Sequence, residues 1–151
     1  MNLPHYLGLL HQAQVHLAAA FRDVGAAHRE EPDVFHNCAR LARQCDRHAA
    51  QLQPFTERYA EAAEDEPERL HSEIFNGTRE GGIGLLRDLH DLYLMAAECD
   101  ISWTLVGQAA QAVRDDDLTA TVDRCEGETA VQMKWLRTRM KTAAPQALVV
   151  A

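Results

Sequence analysis

The stretch IGLLRDLHDLYLMAAECDISWTLVGQAAQAVR, residues 83–114, decides the fold. Leu85, Leu89, Leu92, Ala96, Cys99, Trp103, Val106, Ala110 and Val113 recur alternately four and three residues apart. That spacing keeps them on one stripe of an α-helix packed against other helices. A second stripe, Leu94, Glu98, Ile101 and Leu105, widens the apolar face. A helix apolar over so much of its circumference is buried on several sides or touches another subunit.

The same rhythm extends outward from this helix. Leu3, Leu7, Leu10, Gln14, Leu17, Phe21 and Val24 predict a first helix over about 4–28, with Pro4 suited to its first turn. Val34, Cys38, Leu41, Cys45, His48, Leu52, Phe55 and Tyr59 predict a second over 33–59, kinked at Pro54, which has no N–H to donate. The run Arg29 to Asp33 separates the two, with Pro32 confined to a first turn and Asp33 expected to cap the second helix. Leu118, Val122, Cys125, Thr129, Gln132 and Leu136 predict a fourth helix over 117–143, capped from the run Asp115 to Asp117. Gly107 and Gly127 inside these helices are expected to allow close helix approach.

Residues 60–82 break the pattern. They are acidic and end in Asn76-Gly77 and Gly81-Gly82, with a short helix predicted over 67–75 from Leu70, Ile74 and Phe75. Laying the second half over the first with an offset of 84 aligns Leu10 with Leu94, Leu17 with Ile101, Val34 with Leu118 and Leu52 with Leu136. Two related helical hairpins would make the second and third helices parallel. A helix of 25 residues is about 37 Å long, so their connection must cross that distance. Residues 60–82 can do so. The reading is an all-α single domain over residues 1–151, a four-helix bundle with a long crossover between helices two and three.

Charge and composition exclude several functions. Fifteen Lys and Arg against 23 Asp and Glu leave a net charge of −8, with no basic stripe to offset it. Such a surface repels nucleic-acid phosphates and anionic lipid. No segment reads as a leader or a membrane span, because Gln12, Gln14 and His16 interrupt the apolar residues of the start. Cys38, Cys45, Cys99 and Cys125 lie inside helical patterns; the first two are about 10 Å apart along one helix and cannot bridge. Buried free thiols in a reducing cytoplasm are expected. No phosphate-binding glycine loop or nucleophile elbow is present, since Gly81-Gly82-Ile83-Gly84 follows no strand.

The informative feature is where each seam turns polar. Gln14 interrupts the first helix, Cys45 and His48 the second, and Thr129 and Gln132 the fourth, with Glu128 beside them; Glu98 lies in the second stripe of the third. Counted from the turns, Gln14 and His48 share a level, as do Glu98 and Gln132. This predicts a polar layer across the middle of the bundle.

Two helical hairpins, a long crossover and an inward polar layer resemble the ferritin-like superfamily. Its di-iron site takes a Glu from each of two helices and a Glu-x-x-His from each of the other two. Carried onto this chain, the resemblance puts Gln14 in the first Glu position, Cys45 and His48 in the second-helix motif, Glu98 in the third-helix Glu position, and Thr129 and Gln132 in place of the last Glu and His. Of six ligand positions only Glu98 and His48 are kept, with Glu128 able to swing in. The expectation is a ferritin-like bundle lacking most di-iron ligands, without a cofactor, acting as a cytoplasmic, non-catalytic binding or structural protein and forming a homodimer through the third helix. One alternative is a metal protein or oxidoreductase holding iron or zinc at His48, Glu98, Glu128 and Cys45. Another is a thiol-dependent stress protein using Cys45 beside His48. His5, His11, His16, His28, His36, His71 and His90 are scattered and read as surface or seam-flanking residues.

Overall fold

The computed structural model describes residues 1–65 and 73–150. Among them there are four long helices and no strand: α1 Leu3–Ala27, α2 Pro32–Arg58, α3 Gly81–Ala112 and α4 Asp116–Pro145. Each limit falls within two residues of the sequence-based expectation. A 3-10 turn, Ala60–Ala62, follows α2, and a π-helical turn, Gln146–Val150, follows α4.

The helix ends are set by local chemistry. Arg114, in the left-handed region at φ 57, ends α3. Asp115 then accepts the Leu118 N–H at 3.1 Å and caps α4, as its sequence predicts. The start of α2 differs from expectation. Asp33 caps nothing; Pro32 opens the helix, and Asp33 pairs at 2.7 Å with Arg139 near the end of α4. α2 also runs on through Pro54 to Arg58. The segment predicted as a short helix over 67–75 lies mostly outside the described residues, and Glu73 to Phe75 are not helical.

One core joins the four helices. Leu7, Leu10, Leu17 and Phe21 of α1, Val34, Leu41 and Leu52 of α2, Leu89, Leu92 and Trp103 of α3, and Leu118, Val122 and Leu136 of α4 are all buried in it. Each such side chain contributes about 1.5–3 kcal/mol by leaving water. α1 packs chiefly on α2 and on α3, and α4 chiefly on α3, with α2 also touching α4. Two glycines permit the close approaches. A methyl group on Gly25 would lie 3.0 Å from Cys38 Cβ, and one on Gly107 would lie 3.0 Å from Val122 Cγ1. A methyl group on Gly127 would meet nothing within 4 Å among the described residues, so no close approach depends on it.

The burial pattern corrects the internal register. The buried seam of α1 (Leu3, Leu7, Leu10, Gln14, Leu17, Phe21, Val24) matches Leu85, Leu89, Leu92, Ala96, Cys99, Trp103 and Val106 of α3, an offset of 82. The α2 seam matches α4 with an offset of 84. The single offset of 84 therefore fails for the first pair: Leu94, Ile101 and Leu105 are exposed, and the counterpart of Gln14 is Ala96.

Polar contacts tie the ends. Arg58 and Tyr59, closing α2, bind Asp115 at 2.8 and 2.7 Å. At the opposite end of α2, Arg139 binds Glu31 and Asp33. His28, just past α1, meets Asp88 of α3. No helix among the described residues is long and apolar enough to cross a membrane.

Candidate functional site

Three close approaches set the levels of the four helices. From the Gly25–Cys38 approach, Gln14 lies eleven residues back along α1 and His48 ten residues on along α2, about 16 and 15 Å away. From the His28–Asp88 contact, fourteen residues back is Gln14 and fourteen on is Ser102, next to Trp103. From the Cys45–Gln132 contact, three residues on is His48 and three back is Thr129. Gln14, His48, Trp103 and Thr129 therefore stand at one level, one from each helix. All four are at most 1% exposed, as is Gln132.

Part of this layer is fully bonded. Thr129 Oγ1 donates to the Cys125 carbonyl at 2.8 Å, as helical threonines commonly do. Gln132 Nε2 donates to Gln44 Oε1 at 2.7 Å and lies 3.7 Å from Cys45 Sγ. The other part is not. Gln14 Nε2 and Oε1, His48 Nδ1 and Nε2, and Trp103 Nε1 are buried without a hydrogen bond to another group among the described residues. Each such atom costs about 1–3 kcal/mol if it stays unpaired.

His48 stands edge-on to the Trp103 ring, with centroids 5.8 Å apart. Its Nε2 faces Glu128 Oε2 at 3.5 Å, and the Glu128 side chain is 34% exposed. Burial pushes the His48 pKa below the ordinary imidazole value, and the Glu128 carboxylate pulls in the other direction. Burial likewise raises the thiols. Cys38, Cys45 and Cys125 are pushed up to about 12, and Cys99 well above its usual value.

Glu98 lies elsewhere. It is half-buried on the flank of α3 and lines a groove of about 510 Å³ with Leu9, Ala13, His16 and Asp23 of α1 and Phe75 of the segment before α3. The shift from an offset of 84 to 82 explains this, because Ala96 takes the seam position that Glu98 was expected to share with Gln14. Among the described residues, no three His, Cys, Asp or Glu side chains form a group that could hold a metal ion.

The second buried polar cluster was missed by sequence reading. Asp88 is fully buried and Asp91 nearly so. Asp88 Oδ2 accepts His28 Nε2 at 2.7 Å and the Arg79 backbone N–H at 2.9 Å, while Arg79 Nη1 reaches Asp88 Oδ1 at 2.8 Å and Asp91 Oδ2 at 2.9 Å. The cluster pins the segment leading into α3 and the end of α1 to the flank of α3. Two signals pointed to it. His28 continues the 4/3 seam of α1 beyond Val24, and Asp88 and Asp91 sit one turn apart within the most apolar helix.

No family model matches the chain, and no curated protein or solved structure matches it.

Proposed function

We propose that this chain is a ferritin-like four-helix bundle whose metal layer is replaced by a hydrogen-bonding one, and that it acts as a non-catalytic binding or structural protein of the cytoplasm. The donor chemistry of the layer carries this reading. Gln14, Thr129 and Gln132 offer amides and a hydroxyl, and the Cys45 thiol holds its proton at neutral pH. Among the described residues of the layer, the His48 imidazole and the Glu128 carboxylate remain beside that thiol as ligands of the usual kind, and Glu98 faces the groove instead. A pair of iron ions needs several carboxylates to bridge it and balance its charge, so these residues do not fit such a centre.

The ferritin-like topology is supported by the end contacts. Arg58 at the end of α2 meets Asp115 at the start of α4, and His28 at the end of α1 meets Asp88 near the start of α3. α2 and α3 then run parallel, as a crossover between them requires. The outward stripe of α3, with Ile83, Leu94, Ile101 and Leu105 all 42–54% exposed, is the surface through which two copies associate. Light scattering at micromolar concentration should give twice the 16.9 kDa chain mass, and Ile101→Glu should return it to one. A wild-type monomer at that concentration removes the dimer.

The non-catalytic reading is tested by aerobic oxidation of ferrous iron. The rate with protein should equal that of buffer alone. An acceleration that disappears in both His48→Ala and Glu128→Ala would contradict it.

One observation favours a second reading, a mononuclear zinc or iron site: the 3.5 Å approach of His48 Nε2 and Glu128 Oε2. That site would need two further donors, and Cys45 could supply one only by losing its proton to the metal. The thiol reading has less support, since burial raises all four thiols away from the reactive thiolate.

A further inference from the structure

We propose that the middle of the core is an internal hydration site in which at least two ordered water molecules bridge Gln14, His48 and Trp103. The inference rests on the reading of this layer as free of metal.

Five buried polar atoms on three helices make no hydrogen bond within the described residues: two on Gln14, two on His48, whose Nε2 has only the 3.5 Å approach of Glu128, and one on Trp103. Side chains of one helix scattered along its length could be explained separately. These stand at one level, tied together by the 5.8 Å His48–Trp103 contact and by the registers of α1 with α2 and with α3. Buried polar groups in folded proteins are bonded to protein or to ordered water, and a buried water commonly makes about three hydrogen bonds.

The donor and acceptor inventory selects the ligand. Gln14 brings an NH₂ donor and a carbonyl acceptor, a neutral imidazole one of each, and the Trp103 indole a donor only. An anion would satisfy the donors and strand Gln14 Oε1 and the bare imidazole nitrogen. A cation would do the reverse. A neutral molecule that both donates and accepts satisfies every atom, and water is the smallest.

Small side chains surround the layer, and solvent lies close to it. The residues at and beside this level include Cys45, Ala49, Cys99, Ser102 and Thr129, all small, whereas Leu10, Leu17, Leu41 and Leu52 fill the core on either side. Glu128 touches His48 from within and solvent from without, so one side chain separates the site from bulk water.

The test is a high-resolution crystal structure of the chelator-treated full chain, with a water-selective nuclear Overhauser experiment on the same protein. Water-sized density within hydrogen-bonding distance of Gln14 Oε1, His48 Nδ1 and Trp103 Nε1 is expected. The Trp103 indole N–H should show a cross-peak to long-lived water, lost in a folded Gln14→Leu variant. A dry layer with no water cross-peak at Trp103 overturns this proposal and leaves the metal-free reading intact. An anomalous-scattering metal peak at the same place overturns both.

Discussion

Replacing Asp88 by alanine removes the acceptor at the centre of the only fully buried carboxylate cluster among the described residues. Three contacts go: His28 Nε2, the Arg79 backbone N–H and the Arg79 guanidinium. Breaking a buried charged pair by deleting one member costs about 3–5 kcal/mol. The lower end applies here, because Arg79 is 42% exposed, keeps Asp91 and can turn to water. His28, at 1% exposure, has no such escape, and its orphaned ring nitrogen carries most of the penalty. Asp88→Ala should therefore lose about 3 kcal/mol, and for a chain of this length Tm should fall by roughly 6–12 °C. Arg79→Ala takes the guanidinium away from the buried Asp88 and Asp91 carboxylates and should cost a comparable amount. Urea unfolding followed by far-ultraviolet circular dichroism, with unchanged m-values, measures both. A loss for Asp88→Ala below about 1 kcal/mol, the range of an exposed pair, would refute the claim that the cluster holds α1 and the segment before α3 on α3.

Three further outcomes follow from named contacts. Gly107→Ala should destabilise by about 1 kcal/mol, because the new methyl meets the β-branched, buried Val122 at 3.0 Å, whereas Gly127→Ala should stabilise by about 0.5–1 kcal/mol in open space; equal effects in chemical denaturation would sink the packing argument. His48 titrates below its unfolded value of 6.5, so the unfolded chain binds the proton first as pH falls. Stability is then full above about pH 6.5 and is lost below it, by up to about 1.4 kcal/mol per pH unit, until folded His48 protonates. In His48→Gln the loss of stability just below pH 6.5 should be smaller than in the wild type, and identical profiles in both proteins would show that His48 is not the titrating group. Finally, all four thiols should react with an aromatic disulfide reagent at neutral pH only as fast as the chain opens, and one cysteine reacting at its unfolded-peptide rate would revive the thiol reading.

The helices were legible in the sequence because their seams are long and regular; burial follows the 4/3 rhythm from Leu3 to Val24 and from Val34 to Phe55 without a break. Gln14, Cys45, His48, Thr129 and Gln132 were found for the same reason, since each interrupts or occupies a seam position. Glu98 was misjudged because hydrophobicity alone does not separate two apolar stripes on one helix. Leu94, Ile101 and Leu105 are as apolar as the buried seam beside them, and only burial reveals that they face outward. Trp103 was legible as core but not as an unpaired donor, since nothing in a sequence says where an indole N–H points. The Asp88 cluster required long-range knowledge: its members, His28, Arg79, Asp88 and Asp91, come from three parts of the chain, and no local spacing brings His28 to Asp88.

The central claim is that the mid-core layer is built for hydrogen bonding and not for metal. Metal content by plasma mass spectrometry, on untagged protein from cultures supplemented with iron and zinc, tests it most directly. Well under one metal ion per chain is expected. About two irons per chain, or one zinc lost in both His48→Ala and Glu128→Ala, would contradict it.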